Sequence, residues 1–284
     1  MRNKKISPLI SFGLFSALTF SPLQNLTYFS NNPSVVHAST TTSLPAKTKN
    51  GAILHAFDWS FNNIKNELPN IAKAGYKSIQ VSPVQGTKDS STDPTKWWLL
   101  YQPTNQTVGN TQLKTLSDFT TLCSTSKTYG ISVVVHVVMN HIANNVNKYQ
   151  LNPSVDLSFK NSSLYHNLGQ CSNWSNRYDI TQQGIGMPDL NTQSTAVQNK
   201  VIAFLNEYVD AGASGFRFNA AKHIEKNVGL DANQSWSGNY WTNVLGNLHN
   251  RSNIFAYGEI LQDGTVDNIA NYETFMNVKI GRAH

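Results

Sequence analysis

Residues Ile131 to Val138 form an almost unbroken run of β-branched side chains, interrupted only by Ser132 and His136. Such a run is a strand with apolar contacts on both faces, and strands covered on both faces belong to parallel sheets flanked by helices. The rest of the chain should therefore alternate strand and helix. Ala52 to Phe57 is a compact apolar strand, and Asn62 to Lys73 places Ile64, Leu68, Ile71 and Ala72 at helical spacing. Gly75 ends that helix, and Ser78 to Pro83 is a second strand that its proline stops. Ser117 to Tyr129 reads as a helix with Phe119 and Leu122 inward. Thr195 to Ala211 is amphipathic, with Val197, Val201, Ile202, Leu205 and Val209 on one side. Strands are expected near residues 52, 78, 132, 215 and 254. This is an α/β pattern, and its sites form where the loops leave the carboxyl ends of the strands.

Composition bears on the two ends of that argument. With 39% hydrophobic and 13% charged residues the chain has the means to bury a core. Residues 1–38 read as a secretory signal peptide: Arg2, Lys4 and Lys5 precede the apolar run Ile6 to Phe20, and Val36, His37 and Ala38 offer small residues at a cleavage offset. Pro8 and the shortness of the run argue against a membrane span. Without those three cations the formal charge of +6 falls to 19 basic against 16 acidic residues, with no Lys/Arg block that would suit nucleic acid. A secreted, extracellular protein with a neutral partner is expected. Ser39 to Lys49 is a Ser/Thr-rich leader expected to stay disordered. Cys123 and Cys171 could pair in an oxidising compartment, although a chain of this length folds without staples.

Three strand ends carry the chemistry. Gly215, Phe216, Arg217, Phe218 and Asn219 alternate like a strand and run into Ala220, Ala221, Lys222 and His223. Asn253 to Ile260 closes on Glu259, and the long run closes on His136, Met139, Asn140 and His141. Taken alone, Glu259 reads as a solvated carboxylate and Asn140 with His141 as strand-end caps. Together the three segments resemble the signature motifs of the alpha-amylase family of glycoside hydrolases. The resemblance covers roughly residues 50 to 278.

The resemblance implies a partial (β/α)8 TIM-type barrel with a loop-rich subdomain inserted after the third strand. The parts are residues 50–140, the first part of the barrel; 141–191, the inserted calcium-binding subdomain; and 192–284, the continuation, truncated before closure. It implies calcium as cofactor, a starch-like α-glucan as partner, and a monomer. Glu259 takes the general acid/base position, Asn219 the nucleophile position and Arg217 the place beside them. Tyr101 and Gln102, on a loop made aromatic by Trp97 and Trp98, would touch sugar, as would His141, Lys222 and His223. Asn140, Thr181, Asp189 and the main-chain carbonyl of His223 would hold calcium with hard oxygens; read alone, Pro188 and Asp189 merely begin a turn.

Departures from the family pattern are as informative. Asn219 stands where the family has Asp, and an amide is a poor nucleophile where a carboxylate attacks a sugar carbon. His136 stands where the family has a second Asp, so Arg217 loses both carboxylate partners; it is expected to turn towards Glu259 and make it a worse acid. Lys114 replaces a common Gly, and Ser214 a common Asp. The family's third catalytic carboxylate has no counterpart here, and Lys279 to His284 has no family look. The expectation is an endo-acting, retaining hydrolase of α-1,4-glucosidic bonds whose chemistry this chain withholds. The alternative is a non-catalytic glucan-binding protein. A nucleotide-binding or redox protein is disfavoured, because no Gly-rich loop follows any strand.

Overall fold

A computed structural model describes residues 43–145, 150–261 and 268–281. The expected signal peptide and the first residues of the leader lie outside them. The leader is already attached at its end: a 3-10 turn spans Thr48–Asn50, Thr48 Oγ1 donates to Ser132 Oγ at 3.0 Å, and Leu44 packs on the core.

Each β-α unit forms for local reasons. Strand β1 (Ile53–Ala56) leads to helix α1 (Phe61–Lys73), whose first turn is capped by Ser60 and whose inner face buries Phe61, Ile64, Leu68 and Ile71. Gly75 (φ 84°) then frees the chain to turn into β2 (Ser78–Val81). A two-residue hairpin, β3 (Gly109–Asn110) and β4 (Lys114–Thr115), hands over to α2 (Leu116–Thr128) through a reciprocal cap between Thr115 and Asp118. Next come β5 (Ser132–Val138), short helix α3 (Arg177–Gln182), α4 (Thr195–Asp210), β6 (Gly215–Asn219), α5 (Tyr240–Gly246) and β7 (Phe255–Leu261). Helix α6 (Ile269–Glu273) precedes β8 (Asn277–Gly281).

The main sheet runs β1-β2-β5-β6-β7-β8 with every pairing parallel. Neighbours in space are neighbours in sequence, apart from the intervening hairpin, which is barrel winding rather than a doubly wound sheet. Six strands are present where five were expected. The sixth, β8, was missed because Asn277 to Gly281 is short and mixes polar with apolar residues, so periodicity gives no signal there. The chain is a partial (β/α)8 barrel.

Between β5 and α4 the backbone makes a long excursion with turns at Leu157–Phe159 and Ser162–Leu164 and the single-turn-and-a-half α3. It is attached by apolar side chains, Val155, Phe159, Leu164 and Leu190, that join the core, and by a deep polar contact. Arg177 donates through Nε and Nη2 to the two oxygens of Asp231 at 2.8 and 2.9 Å, through Nη2 to Ile224 O at 3.0 Å, and through Nη1 to Lys222 O. Cys123 and Cys171 are both free thiols, Cys123 buried. Among the described residues no helix is long and apolar enough to cross a membrane.

Candidate active site

Register places the site. In a strand every second side chain shares a face, and parallel partners in register share it too. His136 of β5 is level with Arg217 of β6, which is level with Tyr257 of β7. Two residues further along the same face come Val138, Asn219 and Glu259. Across the interior, Tyr257 OH donates to Gln80 Oε1 of β2. The expected catalytic positions therefore converge because β6 and β7 are adjacent and run the same way.

Glu259 is held by three donors. Arg217 Nη2 lies 2.7 Å from Oε1, while Oε2 accepts from Asn219 Nδ2 at 3.0 Å and from Ala220 N at 3.1 Å. Arg217 Nη1 donates to His136 Nε2, and Arg217 Nε is buried with no partner among the described residues. Arg217 has turned to Glu259, as its missing counter-charges demand. Ala220 follows the last residue of β6 in the left-handed region (φ 48°), and its N–H points at the carboxylate.

The sugar-contact candidates line one rim. Leu99 and Leu100 are buried and anchor a 3-10 segment over Pro94–Tyr101, while Trp97 and Trp98 remain 44% and 40% exposed. Trp97 and Tyr101 meet edge to face at 5.8 Å, and Tyr101 meets His136 at 5.2 Å. His141 Nε2 donates to Tyr101 O at 3.0 Å. Burial pushes the His141 imidazole down to about 4, so it is neutral; with the proton on Nε2, its buried, unpartnered Nδ1 is an acceptor waiting for a hydroxyl. Gln102 Oε1 is likewise buried without a partner among the described residues. On the far side His223 Nδ1 donates to Ile180 O at 2.9 Å, its ring edge-on to Trp174, and burial again pushes it down to about 4. Lys222 is buried, and its carbonyl accepts from Arg177 and from Tyr272 OH at 3.2 Å.

Of the four calcium candidates, Asn140 and Asp189 are in contact, Asn140 Nδ2 donating to Asp189 Oδ1 at 3.1 Å, while Thr181 Oγ1 donates to Arg177 O at 3.0 Å within α3 and the His223 ring donates to Ile180 O. Asp189 is a buried carboxylate pushed up to about 6 by desolvation, with His166 Nδ1 at 2.7 Å from Oδ2. A buried acid with an amide side chain, a hydroxyl and a main-chain carbonyl as the other candidates fits a hard cation in donor type, although here both Asp189 oxygens face nitrogens, Asn140 Nδ2 and His166 Nδ1. Among the described residues no three His, Cys, Asp or Glu side chains gather as a metal site, so the set rests on one carboxylate plus neutral oxygens.

Sequence reasoning passed over four residues here. Asp58 follows β1 at the same sheet edge, with Oδ1 buried and unpartnered; the strand-end rule would have found it. Phe57 and Trp59 flank it, exposed, with Phe57 5.8 Å from Trp97. His166 carries no pattern that would have linked it to Asp189. A cavity of about 800 Å³ lined by Lys47, Ser132, Ser214, Asn253 and Asn277 lies at the amino ends of the strands. It holds none of these groups, and strand polarity rather than concavity locates the chemistry.

Comparisons with known proteins agree with this geometry. The family model "Alpha amylase, catalytic domain" matches residues 58–274. An alpha-amylase of Clostridium acetobutylicum is 66% identical over 245 residues, covering 86% of this chain and 32% of its own length. One from Butyrivibrio fibrisolvens is 32% identical over 80% of this chain and 25% of its length. The chain thus spans about a third or less of these relatives. Among solved structures, alpha-amylase I of Eisenia fetida in a mutant complex with maltohexaose aligns with TM-score 0.67 at 21% identity, covering 82% of this chain and 49% of that one. The Geobacillus thermoleovorans alpha-amylase complexed with acarbose gives 0.65 at 16% identity, over 81% and 51%; at those identities the likeness shows the barrel alone. A family match across most of the chain, joined to a relative two-thirds identical to it, makes this chain a member of the alpha-amylase family of glycoside hydrolases.

Proposed function

We propose that the chain carries the glucan-binding cleft of a secreted, calcium-dependent alpha-amylase acting endo on α-1,4 bonds of starch-like polysaccharides, with the hydrolytic step withheld at Asn219. The observation that carries this reading is the Asn219 Nδ2 to Glu259 Oε2 contact of 3.0 Å. A pair already in contact is closer than the roughly 5–5.5 Å at which a retaining site holds its two carboxyls and leaves no space for the water of an inverting site, so it is nearer the retaining arrangement, in which one group protonates the leaving oxygen and the other attacks the sugar carbon. Glu259 is a competent proton donor in type. Asn219 occupies the attacking place, yet its amide nitrogen donates to Glu259 and its oxygen carries no charge, so no glycosyl ester forms. Both the Eisenia and the Geobacillus proteins were solved with maltohexaose or acarbose, which supports a glucan as partner.

The second reading, a glucan-binding protein without turnover, is favoured by a specific observation: the aromatic rim of Phe57, Trp59, Trp97 and Tyr101 is intact and open beside the altered catalytic position. Calcium would be held by Asn140, Thr181, Asp189 and the His223 carbonyl, tying the excursion after β5 to the barrel; added calcium should then raise the melting temperature. The deciding experiment follows reducing ends released from soluble starch alongside retardation in a starch-containing gel. Retardation without new reducing ends is expected. Steady release of reducing ends by chain that mass spectrometry shows still carries the amide at 219 overturns the withheld step, and unretarded migration overturns the glucan cleft.

A further inference from the structure

We propose that Asn219 is a self-modification site, at which Glu259 promotes loss of the side-chain amide and leaves an aspartate at this position. One oxygen, Glu259 Oε2, accepts at once from Ala220 N at 3.1 Å and from Asn219 Nδ2 at 3.0 Å. Those two nitrogens are the attacking and the leaving atoms of intramolecular deamidation. Sharing that acceptor puts the side-chain amide on the same side of the backbone as the next peptide N–H, the side from which ring closure starts. Ala220 follows the last residue of β6, and its N–H is given to the carboxylate. Arg217 occupies the other oxygen, Oε1, at 2.7 Å and fixes the carboxylate in place. Asn219 and Glu259 are both only half-buried, so water has access.

The step balances without any further reagent. Glu259 Oε2 takes the proton from Ala220 N as that nitrogen bonds to Asn219 Cγ. The Cγ–Nδ2 bond then breaks, and the same oxygen returns the proton to Nδ2, which leaves as ammonia. Water opens the resulting five-membered imide: attack at Cγ yields aspartate, and attack at the main-chain carbonyl yields isoaspartate. Moving a proton between two positioned atoms is what a general base and acid does, at a typical worth of about a hundredfold or more. That aspartate would be the attacking carboxylate which the retaining mechanism lacks here. This consequence rests on the function proposed above, whereas the modification itself rests only on the geometry.

Peptide mapping by mass spectrometry tests it, on the full chain incubated in isotopically heavy water, folded and in urea, with Asn50 as internal control. Asn50 precedes Gly51 and is exposed, an ordinary site for spontaneous deamidation. Position 219 should convert at least about tenfold faster in the folded chain than in urea, since the Glu259 contact exists only when folded. Folding should not accelerate Asn50. E259Q should slow conversion at 219 about a hundredfold in the folded chain. The proposal is overturned if 219 stays intact while Asn50 converts, if urea leaves its rate equal or faster, or if E259Q converts as fast as the unaltered chain. The folded-against-urea comparison needs no variant, so it holds even if E259Q folds poorly. Starch cleavage is read separately, so failure of the glycosidase reading leaves the mass result standing.

Discussion

Arg217 Nη2 stands 2.7 Å from Glu259 Oε1, and its Nη1 donates to the ring of His136. A buried guanidinium that lacks two expected carboxylates has found one nearby, on the strand next door. Its Nε still has no partner among the described residues, so the compensation is incomplete. Replacing His136 should complete it. H136D places a carboxylate level with Arg217, and a charged hydrogen bond of that kind contributes about 2 kcal/mol. Urea denaturation should show H136D more stable by about that amount.

Trp97 has nearly half its surface in solvent although it touches Phe57 and Tyr101. An exposed aromatic costs little to remove from the fold, so W97A should melt with the unaltered chain. Its affinity for soluble starch should fall about tenfold, the equivalent of one lost ring contact. Gel retardation over a starch series measures it.

Asp231 is fully buried between two cations, with Arg177 at 2.8 Å and Lys226 Nζ at 3.3 Å. Lys226 also lies over the Tyr272 ring at 4.3 Å. D231N removes a negative charge that both cations contact and should destabilise by about 3–5 kcal/mol, as when one member of a buried pair is deleted. Because Arg177 belongs to the excursion after β5, proteolysis of that excursion should accelerate in parallel.

Burial raises the Asp58 carboxyl above its ordinary value, and its Oδ1 has no partner. The folded state then binds more protons than the unfolded one just above that ordinary value, so stability from this group is present in acid and is lost as pH rises. D58N should be no more stable than the unaltered chain near pH ~4 and more stable at neutral pH. Asn tolerates the left-handed backbone at this position (φ 59°), so the comparison isolates the charge. Urea melts at the two pH values give the answer.

Lys114 takes φ 91° in the β3–β4 hairpin, a conformation that costs a side chain with a Cβ and suits glycine. The resemblance had marked this residue as a departure from Gly, and the backbone supplies the reason. K114G should stabilise the chain by about 1 kcal/mol, read as a higher urea midpoint at unchanged slope.

Much of this was legible in advance. The β-branched run of β5 announced a parallel sheet, and the amphipathic spacing of α1 and α4 announced its cover. Three strand ends, closing on His141, Asn219 and Glu259, marked one edge as the site. What stayed hidden were short or aperiodic pieces: β8, the attachment through Arg177, and His166 against Asp189.

Residue chemistry is written in the chain, so the sequence alone determined that β6 ends on an amide, that β7 carries a carboxylate near its end, and that position 136 offers Arg217 an imidazole rather than an acid. Which partner Arg217 takes, and that one oxygen of Glu259 serves both Asn219 and Ala220, was decided only by tertiary structure. Those contacts depend on the register of β5, β6 and β7. Register is a property of paired strands, and no single stretch of sequence contains it.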